Sequence, residues 1–172
     1  MFVCIAGHVL KKIPTADAAC GLTSVDDELF VLYCRYDNQV AVYDMYDYKL
    51  QRHLNVPEVK RQKIIFNDMT SCGRRRRVYV SNSDSRCIHI FELSNSALSK
   101  WSVLYPPCDL SLTPRGNLLV TCCGQTNRLV DLSADSGQCV RDIELQSDIK
   151  LPQHAVQLTT GHCPTDHWLM SI

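Results

Sequence analysis

The 172-residue chain has no excess of charge of either sign, because 18 lysine and arginine residues balance 18 aspartate and glutamate residues. A neutral chain lacks the basic balance that favours nucleic acid as a default partner. Its longest apolar run, residues 1–10, is well short of the roughly 20 residues that a membrane-spanning helix requires. Lys11 and Lys12 follow this run, whereas a secretory signal carries its positive charges before the apolar stretch. We therefore expect no membrane partner.

Glycine is scarce, at seven residues, and the glycine-dependent catalytic motifs are missing. The chain contains no Gly-x-Ser-x-Gly elbow, no phosphate-binding glycine loop and no His-Glu-x-x-His. His162, Cys163 and His167 come nearest to a zinc motif, but their spacing does not supply a tetrahedral set of ligands. The sequence thus predicts a protein that is not an enzyme and has neither a cofactor nor a metal site.

Cysteine, in contrast, is abundant, with ten residues. Several of the cysteines lie inside apolar, strand-like runs, whereas those of extracellular disulfide frameworks usually punctuate loops. The chain also contains no Asn-x-Ser/Thr glycosylation sequon. We therefore expect buried, reduced thiols that pack as small apolar side chains, and a cytoplasmic protein.

Short strand-like segments recur in the same order along the chain. Each unit begins with a strand that contains small polar residues and continues with a strongly apolar strand. The apolar strands contain Leu32, Val80, Val120 and Met170, which are 48, 40 and 50 residues apart. Valine, isoleucine, tyrosine and threonine dominate these segments at period two, a pattern typical of strands rather than helices. Four short strands in about 40–50 residues is the period of a β-propeller blade.

The best-defined unit carries a family resemblance. It reads Gly-Leu-Thr-Ser-Val-Asp-Asp-Glu-Leu-Phe-Val over residues 21–31 and Val-Ala-Val-Tyr-Asp over residues 40–44. This pattern resembles the blades of NHL and YVTN-type propellers, the six-bladed group related to the TolB-like fold. The resemblance implies an all-β fold, a β-propeller of four-stranded antiparallel blades. An all-β sandwich with evenly spaced strands is the alternative.

The repeat predicts an incomplete propeller, with about three full blades and a partial blade at each end. The predicted parts are the end of a preceding blade (1–19), three blades (20–64, 65–107 and 108–151) and the start of a further blade (152–172). A six-bladed ring of such units needs roughly 250–300 residues. Because an open arc leaves sheet faces uncovered, we expect missing sequence or another chain to supply the remainder.

A run of four arginines is the strongest local charge feature. Arg74, Arg75, Arg76 and Arg77 are the predicted partner-binding residues, because guanidinium groups bind carboxylates and phosphates through paired hydrogen bonds. A solvated hairpin tip is the alternative interpretation. In an antiparallel blade this run and the basic segment 60–63 lie at opposite ends, about 20 Å apart, so they do not form one patch.

The resemblance implies a non-catalytic protein-interaction scaffold, a propeller that presents its loops to protein partners. In related proteins such a module recruits substrates for a ubiquitin ligase. The alternative is an RNA-binding NHL-type propeller that uses residues 74–77. A propeller hydrolase is a third hypothesis and requires central carboxylates that hold a cation. Asp44, Glu92 and Asp131 recur along the chain, but the repeat explains them as strand-end positions.

Overall fold

The computed structural model describes residues 2–5, 8–12, 19–33, 39–57, 68–122, 127–146, 154–158 and 167–171. Sixteen strands and no helix occur in these ranges. It follows that the described part of the chain offers no helix with the length and apolarity to cross a bilayer. The predicted all-β class is therefore confirmed for the described residues.

The strands form three four-stranded antiparallel sheets and two strand pairs. The first pair is β1 (Phe2–Ile5) and β2 (His8–Lys12). Sheet 1 contains β3 (Ala19–Val25), β4 (Glu28–Tyr33), β5 (Gln39–Asp44) and β6 (Leu50–Asn55). Sheet 2 contains β7 (Met69–Cys72), β8 (Arg77–Asn82), β9 (Cys87–Glu92) and β10 (Ala97–Ser102). Sheet 3 contains β11 (Pro107–Leu112), β12 (Leu118–Cys122), β13 (Arg128–Leu132) and β14 (Cys139–Glu144), and the last pair is β15 (His154–Leu158) and β16 (His167–Ser171).

Each sheet is a meander in which every strand pairs with the next strand along the chain. Burial changes steadily across the sheet. In sheet 1 the second strand, β4, buries four consecutive residues, 29–32, whereas the fourth strand, β6, is largely exposed. Because neighbouring residues of a strand point to opposite faces, a buried run of four means that both faces of the sheet are covered. The predicted period-two alternation thus reflects the face of the sheet to which each side chain points. It does not separate buried residues from exposed ones.

Alternate residues of strand β8 pack against two different neighbouring sheets. Val78 and Val80 of β8 pack in a cluster with Phe30 and Val42 of sheet 1. Tyr79, which lies between the two valines, packs in a second cluster with residues of sheet 3 such as Leu118. The opposite face of sheet 3 in turn packs Leu119 and Leu129 against Ala155 of β15. The sheets therefore follow one another in chain order, and sheets 2 and 3 are each packed between two neighbours.

The first strands of successive sheets lie side by side. β3 contacts β7, β7 contacts β11, and β11 contacts β15. Hydroxyl groups join them: the oxygens of Thr23 and Ser71 are 2.7 Å apart, and Ser111 Oγ donates to the carbonyl oxygen of Ala155 at 2.6 Å. The exposed fourth strands lie at the other edge of each sheet. Small polar residues recur in the predicted first strands because this crowded inner row uses their short hydroxyl side chains.

The cysteines follow the prediction in part. Cys72, Cys87, Cys108 and Cys122 are buried thiols, as expected, whereas Cys139 is an exposed thiol, so the expectation of burial is wrong there. Cys20, however, is disulfide-bonded, so the expectation of reduced thiols is wrong at this position. The cytoplasmic location stays a prediction.

Candidate functional site

One end of the three sheets carries all the turns that join first to second strands and third to fourth strands, because the strands of each meander run alternately up and down. We call this end the turn rim; it comprises residues 26–27, 45–49, 73–76, 93–96, 113–117 and 133–138. Backbone hydrogen bonds tie its turns together in pairs. Met45 N donates to the carbonyl oxygen of Asp27 at 2.9 Å, and Leu93 N to that of Arg76 at 2.8 Å. The predicted arginine run lies on this rim.

Arg75 joins sheet 2 to two turns of sheet 3. Its Nε and Nη2 donate to the two carboxylate oxygens of Asp135 at 2.7 and 3.0 Å, and its Nη1 donates to the carbonyl oxygen of Gly116 at 3.2 Å. This fork-on-fork geometry is the one that planar guanidinium groups favour. The hydrogen bond from Arg75 lowers the pKa of Asp135. Arg75 thus acts as a clamp between sheets.

Arg76 and Arg77 also make intramolecular contacts. Arg76 Nη1 lies 2.9 Å from Asp26 Oδ2 in sheet 1. Arg77 Nε lies 2.6 Å from Glu92 Oε1, and Arg77 Nη1 donates to the carbonyl oxygen of Ala134 at 2.8 Å. Three members of the run therefore face carboxylates of this chain, and the exposed Arg74 stands in the same turn. Binding of a partner by Arg74–Arg77 stays a prediction.

We expect Arg75→Ala to lower the free energy of unfolding by about 1 kcal/mol, which is a fall of roughly 2–4 °C in Tm. The loss combines the ion pair with the hydrogen bond to Gly116. Thermal unfolding followed by circular dichroism measures it. Arg74→Ala is the matched control, expected to stay within about 0.5 kcal/mol. If the clamp acts through Asp135, the effect of Arg75→Ala shrinks in a chain that already carries Asp135→Ala; equal losses for the two arginine variants would contradict the clamp.

An exposed aromatic residue, which the sequence analysis did not single out, continues the rim beside the arginines. Tyr46 is 80% exposed, and its hydroxyl donates to Asp27 Oδ1 at 3.1 Å. This hydrogen bond raises the pKa of Tyr46, so the phenol stays protonated. Asp27 is the chain neighbour of Asp26, the partner of Arg76. A tyrosine inside a polar turn, flanked by Met45 and Asp47, is the sequence signal that could have found it.

A pair of carboxyl groups lies on the inner row of first strands. Asp68 and Asp109 occupy equivalent places at the start of the predicted repeat, and they are hydrogen-bonded to each other. Asp68 Oδ2 also accepts a hydrogen bond from Leu110 N at 3.1 Å. Burial, followed by the hydrogen bond and the charge of Asp109, raises the pKa of Asp68 to about 7. The Asp68 carboxyl is therefore partly protonated near neutral pH.

Ser81 completes this junction. Asp68 N donates to Ser81 Oγ at 2.8 Å, and Ser81 Oγ lies 3.1 Å from the carbonyl oxygen of Cys108, to which it donates. The serine is fully buried. One hydroxyl thus links the entry of β7 to the entry of β11. Within the described residues, this region presents no group of three or more His, Cys, Asp or Glu side chains that could hold a metal ion.

The recurring acids Asp44, Glu92 and Asp131 lie at or next to the ends of strands. Asp44 ends β5, and its Oδ1 accepts hydrogen bonds from Tyr46 N at 2.7 Å and Asp47 N at 3.2 Å. Glu92 ends β9 and pairs with Arg77. Asp131 is the penultimate residue of β13. Asp44 thus stabilises a turn and Glu92 a hairpin, and within the described residues these acids form no group of three that could hold a metal ion.

Comparison with known proteins identifies no family. No protein-family description matches the sequence, and no curated protein matches it. Among solved structures 347 chains match the fold. One of them is Kuenenia stuttgartiensis hydrazine synthase, with a TM-score of 0.71 and 13% sequence identity over 87% of this chain. The chain spans less than half of that protein, 43% of its length, and the likeness at this identity is one of fold alone.

Proposed function

We propose that the chain is an arc of a β-propeller that serves as a non-catalytic protein-interaction scaffold. Three observations support the propeller. Successive sheets stack face to face in chain order, their first strands form one contiguous row, and their fourth strands are exposed. Blades that radiate from a common axis have these properties. A closed ring needs more than three blades, so we propose that further sequence or another chain supplies the remainder.

The charge pairing of the turn rim favours protein over RNA as the partner, and this observation carries the proposal. Phosphate backbones are bound by unneutralised lysine and arginine side chains. Here Arg75, Arg76 and Arg77 face Asp135, Asp26 and Glu92 respectively. A surface of mixed charge repels a polyanion more than it repels a protein, whose own surface carries both signs.

The exposed side chains of the rim are of the types that anchor protein interfaces. Tyrosine, arginine and methionine are enriched at interface hot spots and cores. Tyr46 and Met45 are both exposed and border the acidic turn 26–27, to which Arg76 is bound. The same contacts hold the rim rigid, so little conformational entropy opposes binding. Recruitment of a protein substrate, which the family resemblance implies, is the role we propose for this rim.

Site-specific photocrosslinking in the full chain tests the proposal. A benzophenone amino acid at Tyr46 is expected to form a nuclease-resistant adduct with a discrete protein, and the additional change Arg74→Glu is expected to reduce it. The matched control carries the crosslinker at Asp84, an exposed turn residue between β8 and β9 at the opposite end of the sheets. Adducts that nuclease removes would favour RNA. Equal labelling from positions 46 and 84 would overturn the role of the rim.

A further inference from the structure

A cleft opens between the outer parts of sheets 2 and 3, and Gly137 of the turn rim is among its lining residues. Its volume is about 290 Å³, and residues 102–105, which lead out of β10, form one wall. The side chains of Val120, Val130 and Leu132 form the floor on the facing sheet. We call it the side cleft. Its floor residues belong to the same apolar cluster as Tyr79 of sheet 2, so the side cleft lies against the core between the two sheets.

The side cleft has an apolar interior and an apolar lip. The floor valines are buried, whereas Leu104 in the wall is 73% exposed. Val140, which adjoins the lining residue Cys139, is also exposed. Exposed apolar side chains beside an apolar cavity are typical of interaction sites rather than of ordinary surface. The volume lies just below the range of about 300–1,000 Å³ that small-molecule sites occupy. The side cleft therefore suits one large side chain better than a whole cofactor.

The charged groups at the lip leave an excess of one negative charge. Arg128 is the cation, with its guanidinium carbon 4.8 Å from the centre of the Tyr105 ring. Two carboxylates share it: Asp142 Oδ1 lies 2.7 Å from Arg128 Nε, and Glu144 Oε2 lies 3.1 Å from Arg128 Nη1. The side chain of Glu144 remains mostly exposed. A lysine or arginine that arrives from solvent is therefore attracted to this lip.

We propose that the side cleft receives a bulky apolar side chain of a protein partner, with a basic residue of the same segment placed beside Asp142 and Glu144. The inference rests on the proposed function, since it assigns a second contact to the same scaffold. An apolar anchor in a desolvated pocket with a charged border is the usual arrangement of an interface hot spot. The turn rim and the side cleft would then be contacted by different parts of the partner.

The free thiol of Cys139 lines the side cleft and allows a direct test by disulfide capture. Three probes of equal length and with one common leaving thiol are compared: a phenyl probe with an amine, a phenyl probe with a carboxylate, and an amine without a ring. Each exchange joins one probe to Cys139 and releases one leaving thiol. Under competing β-mercaptoethanol, peptide mapping is expected to show the phenyl amine captured at least about fivefold more than either other probe.

Matched variants test the apolar contact and the charged contact of this proposal separately. Leu104→Ser is expected to abolish the advantage of the phenyl ring, and Glu144→Gln the advantage of amine over carboxylate. Leu98→Ser, the same change at an exposed leucine of β10 outside the side cleft, is expected to alter neither. Equal capture of all three probes, or equal effects of Leu104→Ser and Leu98→Ser, would overturn the inference. Failure here with successful crosslinking at Tyr46 rejects the side cleft alone, and the reverse result rejects the rim.

Discussion

Asp68→Asn is expected to stabilise the protein at pH 8, and to do so less at pH 5. The pKa of Asp68 is raised to about 7 in the folded state by burial and by Asp109. In the unfolded chain the carboxyl returns to its ordinary pKa near 3.9. The folded state therefore binds more protons between about pH 4 and pH 7, and wild-type stability falls as the pH rises through that window.

Asparagine reproduces the protonated form of this side chain at every pH. Its amide oxygen can accept from Leu110 N as Asp68 Oδ2 does, and its NH₂ group can donate to a side-chain oxygen of Asp109. At pH 8 it removes the cost of a buried second charge, on the order of 2 kcal/mol, which corresponds to roughly 4–8 °C in Tm. Thermal melts at pH 5, 6, 7 and 8 measure the change.

The matched control for this pH series is Asp135→Asn. The pKa of Asp135 is lowered by Arg75, so its stabilising ion pair is present at neutral pH and is lost as the pH falls. Asp135→Asn is therefore expected to destabilise at pH 8, opposite in sign to Asp68→Asn. A chain with Asp68→Asn that melts with the wild-type pH dependence would show that Asp68 is not the group with the raised pKa.

Gly137→Ala is expected to be the most damaging of the conservative changes, with a loss of about 3 kcal/mol or more. Gly137 has a φ of +71°, in the left-handed region where a Cβ costs about 1–2 kcal/mol. A Cβ there would also lie 2.4 Å from Cδ2 of Trp101. The indole, which contacts Tyr79 with a ring-centre distance of 5.8 Å, has a core neighbour behind it. Overpacking adds about 1–3 kcal/mol to the backbone cost.

Two other glycines separate these contributions. Gly116 shares the positive φ, but its added Cβ would meet only the flexible end of Arg75, at 3.1 Å. Gly73 has nothing within 4 Å of an added Cβ. Urea unfolding is expected to rank the losses from alanine as Gly137 largest, Gly116 next and Gly73 near zero. Equal losses at positions 137 and 116 would contradict the packing of the Gly137 turn on Trp101.

The sheets could be predicted from the sequence because the signals that determine their strands are local. Period-two apolar runs and polar turns determine strands such as β4 and β5 without reference to the rest of the chain. The pattern could not show that Val78 and Tyr79 face different sheets, because alternation does not indicate which sheet packs on either face of a strand. The half-buried indole of Trp101, for example, packs against the core of sheets 2 and 3 through contacts that no local pattern specifies.

The sites depended on contacts between distant parts of the sequence, and they were harder to predict. Arg75 and Asp135 are 60 residues apart, and nothing local to either residue indicates the other. The same is true of Asp68 and Leu110, 42 residues apart. In the sequence alone, the four arginines resemble a cationic patch that is available to a partner. Stacking brings acidic turns of both flanking sheets to them, which converts most of the run into structural contacts.

The alternating facing of β8 makes sheet 2 a shared support of two junctions. Val78 and Val80 contribute to one core and Tyr79 to the other, so this sheet cannot melt without exposing both of its neighbours. In a stack of repeat units, stability is the sum of unit and nearest-neighbour contributions. A lesion in β8 therefore weakens two junctions at once, and its effect spreads beyond the sheet that carries it.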